Sequence, residues 1–121
     1  MPFESVLKKI FESGIETWNQ AEYQKLNELI VPHAELISPE VNLPKIQAPA
    51  VHLKSFDEII AFWSMVNAQY ENRVTKIEYL EIGKISKVRC YSENIQMTLE
   101  IEIHFNNYAK ITKMVNHLVT D

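Results

Sequence analysis

The stretch "IQMTLEIEIHF", residues 95–105, constrains the fold more than any other. Ile95, Met97, Leu99, Ile101, Ile103 and Phe105 alternate with Gln96, Thr98, Glu100, Glu102 and His104. A period of two sets the apolar series on one face of a strand and the polar series on the other. A strand that buries only one face belongs in an antiparallel sheet packed on a core. Asn106-Asn107 mark a turn, and "AKITKMVNHLV" returns as the last strand. A four-residue loop, Asn106 to Ala109, pairs Ile103 with Thr112, Ile101 with Met114 and Leu99 with Asn116 on the interior face. Glu102 then meets Lys113 and Glu100 meets Val115 on the outer face, beside Ile111, His117 and Val119. A three-residue loop would instead turn Ile111, Val115 and His117 inward. Upstream, "TKIEYLEI" and "ISKVRCY" read as two more strands joined at Gly83-Lys84, a Gly-X signal for a type II′ hairpin. A further turn falls near Ser92-Glu93-Asn94.

The first half of the chain reads as helices. Phe3, Val6, Leu7, Ile10, Phe11, Ile15 and Trp18 recur at helical spacing. The stripe breaks at Asn19-Gln20-Ala21 and restarts as a short helix at Tyr23, Leu26, Leu29 and Ile30, ending near Pro32. "HAELIS" then reads as a short strand. Residues 38–54 hold three of the five prolines and little periodicity. Such a segment is a pocket rim or a flap over a sheet edge. A third helix opens at Ser55, whose partner Glu58 completes a capping box, and buries Ile59, Phe62, Trp63, Val66 and Tyr70. Helices followed by an antiparallel meander make an α+β chain, a curved antiparallel sheet wrapped around three helices.

Length and charge narrow the function classes. The 121 residues suggest one domain, 1–121, with 46% hydrophobic residues to fill a core. A net charge of −4 with scattered lysines gives nucleic acid no basic track. No run of apolar residues is long enough to span a membrane, and the N-terminus does not resemble a signal peptide, so the expected location is cytoplasmic. Cys90 is the only cysteine, and His33, His52, His104 and His117 form no i, i+4 pair. No metal or cofactor is expected.

The order of elements resembles the nuclear transport factor 2-like superfamily. The resemblance rests on Trp18, Glu22, Leu26, Leu29, His33 and Pro39, on "SFDEIIAFW" as the third helix and on "KITKMVNHLV" as the last strand. It implies a cone of curved sheet with an internal pocket, closed by a bent pair of helices whose corner lies at Asn19 to Ala21. Ala21 stands where a glycine is common and Glu22 where a capping aspartate is common. The superfamily includes steroid isomerases, dehydratases, SnoaL-like cyclases, epoxide hydrolases and non-catalytic binding modules. Registered on the steroid isomerases, the donor tyrosine falls on Gly14, the base aspartate on Ser38 and the acidic donor on Ile101. With all three missing, that reaction is not expected.

Three functions stay open: a domain binding a small apolar ligand, a SnoaL-like enzyme acting on a small hydrophobic substrate, and a structural dimerisation domain. His33 and His52 flank the proline-rich segment and are the catalytic candidates, because histidine changes charge near neutral pH. The alternative places them at the surface. Trp18, Ser38, Trp63, Tyr79, Ile101, Thr112 and Asn116 are the expected pocket residues, with Tyr23 a weaker candidate. His117 and Asp121 face outward unless a bulge turns them. The mixed outer face of the last hairpin points to a homodimer through the sheet.

Overall fold

The computed structural model describes residues 3–120. In chain order the elements are α1 (Phe3–Asn19), a 3-10 helix (Tyr23–Glu28), β1 (Ile30–Ser38), β2 (Val41–Leu43), β3 (Ile46–Ala48), β4 (Val51–Leu53), α2 (Phe56–Tyr70), β5 (Lys76–Glu81), β6 (Ile85–Ser92), a 3-10 turn (Glu93–Ile95), β7 (Met97–Phe105) and β8 (Ile111–Leu118). Six strands form one sheet in the order β4-β1-β8-β7-β6-β5, and β2 pairs with β3 as a separate hairpin.

The sheet is mixed rather than antiparallel throughout, because β1 lies parallel to β8. A parallel pair needs a long connection, and everything from β2 to β7 lies between these strands. β1 also begins earlier than expected and runs through Pro32. The β1–β8 ladder is interrupted between Ile30 and Glu35, where a residue without an N–H is tolerated.

The last hairpin follows neither expected register. Phe105 pairs with Ile111 and His104 with Lys113, so Thr112 bulges out of the ladder. Its hydroxyl donates to the carbonyl of His104 at 3.2 Å. Beyond the bulge Ile103 meets Met114, Ile101 meets Asn116 and Glu102 meets Val115. The offset from the four-residue-loop reading is two residues, so Met114 and Asn116 keep their inward faces and Val115 and His117 stay outside. Only Thr112 and Ile111 change sides, and Ile111 is buried. The β5–β6 turn is not type II′, since Gly83 has no positive φ. Ser86 ties it instead: its hydroxyl accepts from Gly83 N at 3.1 Å and donates to Gly83 O at 2.8 Å.

The corner after α1 is a Schellman closure. Glu22 N donates to Thr17 O and Ala21 N to Trp18 O, with Ala21 left-handed at φ 60°. Glu22 makes no side-chain cap on the 3-10 helix. At α2, Ser55 Oγ accepts from Glu58 N at 3.2 Å, the predicted cap. Leu7 and Phe11 of α1, Tyr23 and Leu26 of the 3-10 helix and Ile59 and Ile60 of α2 pack on Leu36, Val88, Ile103 and Met114 of the sheet. The β2–β3 hairpin joins both readings of residues 38–54. It is a flap whose Val41 and Ile46 form a second apolar cluster with Val66, Ile95 and Met97. No helix among the described residues is long and apolar enough to cross a membrane.

Candidate functional site

Between α1, α2, the flap and the concave face of the sheet lies a cavity of about 140 Å³. Each wall follows from a periodicity. α1 contributes Ile10, Phe11, Gly14, Ile15 and Trp18, and α2 contributes Phe62, Trp63, Val66 and Asn67. β7 presents Met97, Leu99, Ile101 and Ile103, the apolar half of its alternation, and the flap adds Val41, Ile46 and Ala48.

Of the expected pocket residues, Trp18, Ser38, Trp63, Ile101 and Asn116 line this cavity. Gly14 does so too, so the three positions that the steroid-isomerase register singled out, Gly14, Ser38 and Ile101, line one cavity, and none can titrate. Thr112 is excluded by its bulge. Tyr79 is also outside it, beside a smaller hollow lined by Leu7, Phe11 and Ile82. Its hydroxyl donates to Glu12 Oε2 at 3.0 Å, and burial, then this bond, pushes its phenol well above the ordinary range.

His33 and His52 are exposed and line no part of the cavity. The alternation of β4 turns His52 outward, where Nε2 meets Glu35 Oε2 at 2.8 Å. That bond holds the Glu35 carboxyl below its usual range. His117 is exposed on the outer face, and Asp121 lies outside the described residues. Among the described residues no group of three His, Cys, Asp or Glu is placed to hold a metal ion.

The polar groups at the wall are neutral. Asn116 Nδ2 donates to Ser38 Oγ at 3.2 Å, and Ser92 Oγ donates to Asn72 Oδ1 at 2.6 Å. Asn67 Nδ2 donates to Tyr23 Oη at 2.7 Å. Tyr23 is buried behind the wall, with ring centroids 6.3 Å from Trp18 and 6.5 Å from Trp63. It therefore positions both tryptophans and Asn67 without touching the cavity. Among the described residues Cys90 is the only titratable side chain on the wall, and burial pushes its thiol up to about 12. At neutral pH it is a protonated, weakly reactive group.

Asn67, Asn72, Cys90 and Ser92 are wall residues that the sequence reading did not select. Ser92 and Cys90 fall on the inward half of β6, whose burial alternates from Ser86 onward. Asn67 lies one helical turn from Trp63. Those two periods could have located three of the four; Asn72 lies in a loop and carries no such signal.

No protein-family model matches the chain, and no curated protein is detectably similar in sequence. Solved structures are similar in shape. A SnoaL-like protein of unknown function from Burkholderia thailandensis superposes with a TM-score of 0.76 at 14% identity, covering 98% of this chain and 100% of that one. IdmH from Streptomyces antibioticus, provisionally assigned as a polyketide cyclase, gives 0.71 at 15% identity over 93% and 91% of the two chains. A nuclear transport factor 2-like protein of unknown function from Cytophaga hutchinsonii gives 0.67 at 8% identity over 93% and 89%. The chain has the nuclear transport factor 2-like fold. At these identities the likeness carries the fold and not an activity. Within the nuclear transport factor 2-like cone, the site is what remains open inside it.

Proposed function

We propose that the chain is a non-catalytic receptor for a small, uncharged, mostly apolar molecule held inside the cone. The observation that carries this reading is a cavity wall that, among the described residues, has no carboxylate, imidazole, amine or phenol. General acid–base chemistry needs a group that titrates near the working pH, within hydrogen-bond reach of the substrate. The wall supplies only a thiol that burial keeps protonated. Apolar walls with a few neutral polar groups are the usual form of a small-molecule site. A cavity of about 150 Å³ lined by apolar side chains takes a benzene-sized guest, which sets the scale here.

A cyclase reading takes its support from the fold likeness to IdmH, but the wall offers it no base. A purely structural role would be better served by a cone filled with side chains. The test is a calorimetric titration of the intact chain with toluene, followed by a thermal melt. Saturable binding and a raised Tm are expected. Both should vanish in Ile101→Trp, which fills the cavity from the sheet side, with circular dichroism checking its fold. Absence of saturable binding to the wild-type chain would overturn the reading.

A further inference from the structure

We infer that residues 71–75, between α2 and β5, are the gate of the cavity: a strap that opens to admit small molecules while the cone around it stays folded. Asn72 and Val74 of this segment line the cavity. Beneath them on β6 lie Ser92 and Cys90, which line it too.

The strap is fixed firmly at its ends and weakly between them. At one end Glu71 closes α2 in the left-handed region at φ 47°, and Asn94 Nδ2 donates to the carbonyls of Tyr70 and Glu71. At the other end Thr75 N donates to Tyr91 O at 2.8 Å, where the β5–β6 ladder begins. Between these points Asn72, Arg73 and Val74 make no backbone-to-backbone hydrogen bond among the described residues. Three side-chain hydrogen bonds hold them instead. Asn19 binds both backbone groups of Val74, and Ser92 Oγ donates to Asn72 Oδ1 at 2.6 Å. All three are bonds between uncharged groups, which water can replace once the strap lifts.

Every other wall is harder to move. α1, α2 and the strands keep continuous backbone hydrogen bonding along the cavity. The β2–β3 flap is a separate hairpin, but it is anchored by Val41 and Ile46, buried against Val66, Ile95 and Met97. Lifting the flap would expose two buried aliphatic side chains, whereas lifting the strap exposes one half-buried valine. Local opening follows the segment with the fewest apolar contacts and the most replaceable hydrogen bonds. That segment is 71–75.

Cys90 reports the opening without any ligand. It is the only cysteine, it is 4% exposed, and it sits on the wall two residues from the strap's contact at Ser92. The experiment measures the rate at which methyl methanethiosulfonate, a small neutral thiol reagent, modifies Cys90 at about pH 8, relative to the rate in the unfolded chain. The wild-type chain, Asn72→Ala and Asn19→Ala are compared at several low urea concentrations. Wild-type modification should be slow and nearly independent of urea, because a local opening exposes little surface. It should accelerate roughly fivefold in Asn72→Ala, which loses one neutral hydrogen bond, and roughly thirtyfold in Asn19→Ala, which loses two. The weak dependence on urea should persist in both. Asn72→Ala keeps the comparison interpretable if Asn19→Ala does not fold by circular dichroism. Three results would overturn the inference: modification of the wild-type chain as fast as of the unfolded one, which means a permanently open mouth; rates unchanged in the folded variants, which puts the route elsewhere; or rates that rise with urea as steeply as global unfolding. No ligand is involved, so each of these leaves the receptor reading standing.

Discussion

Asn19 holds the backbone of Val74 at both of its polar groups: Nδ2 donates to the carbonyl oxygen at 2.9 Å, and Oδ1 accepts from the N–H at 2.8 Å. The two residues are 55 apart in the chain, and Val74 lines the cavity. One side chain thus ties the end of α1 to the segment entering β5. Asn19→Ala leaves a half-buried N–H and C=O without their partner. It should lower stability by about 2 kcal/mol in equilibrium denaturation. A loss below about 0.5 kcal/mol would mean that water replaces the amide without cost.

The corner beside Asn19 is strained at one residue. Ala21 sits at φ 60°, where a side chain costs roughly 1–2 kcal/mol, whereas glycine loses about 0.5–1 kcal/mol of unfolded-state freedom. Ala21→Gly should therefore stabilise the chain by about 0.5–1 kcal/mol. A destabilised variant would show that the corner tolerates the left-handed backbone at no cost.

Much of this architecture was readable because it repeats. The strict alternation of β7 and the helical stripes of α1 and α2 each place many side chains with one phase, which is why Trp18, Trp63 and Ile101 line one cavity. Single-residue irregularities were not readable. The bulge at Thr112 is set by how the 106–110 loop closes, with Asn106 Oδ1 accepting from Lys110 N, and no periodicity encodes that. His33 and His52 are candidates by their chemistry alone. Their positions followed from the phases of β1 and β4, which the prolines obscured. Tyr79 faces the helices, yet at a different depth from the cavity.

Trp63 illustrates the distinction between core and wall. Ile59, one turn earlier, is fully buried at 0% exposure, while Trp63 is half-buried with one side toward the cavity. Ile59→Ala should cost about 2–5 kcal/mol. Trp63→Ala, which enlarges an existing space, should fall below the roughly 3–5 kcal/mol of a packed aromatic. Urea denaturation of the two variants checks the order, and a larger loss at Trp63 would reverse it.

Cys90 ties pH to stability but not to ligand binding. Burial raises its thiol from an ordinary value of 9.0 to about 12. Because the folded value lies above the unfolded one, the neutral thiol's contribution is complete below about 9 and is lost as pH rises toward about 12. Stability should decline across that window, less steeply in Cys90→Val. Ligand affinity should stay flat from about pH 5 to about pH 9, since no other wall residue among the described ones titrates. A step in affinity near pH 6.5 would implicate a histidine and reopen the enzymatic reading.

The convex face of the sheet poses the last test. We propose that it pairs with the same face of a second copy. Val115 sits between Ile37 on β1 and Glu102 on β7. Around this apolar step lie Glu100 and Glu102 as well as Lys87, Arg89 and Lys113. A face that carries both signs can be self-complementary, because a twofold axis can set the glutamates of one copy against the basic residues of the other. A sheet face that met only water would not need Ile37 and Val115 at its centre. Val115→Glu puts a carboxylate directly beside Glu102 and, across the axis, doubles the uncompensated charge. It should convert a dimer into monomers without altering the circular dichroism spectrum, because Val115 points away from the core. Light scattering at tens of micromolar reads the outcome. A wild-type monomer, or a dimer unchanged by Val115→Glu, would remove the proposal; unfolding of the variant would instead contradict the outward phase of β8 that the bulge at Thr112 preserves.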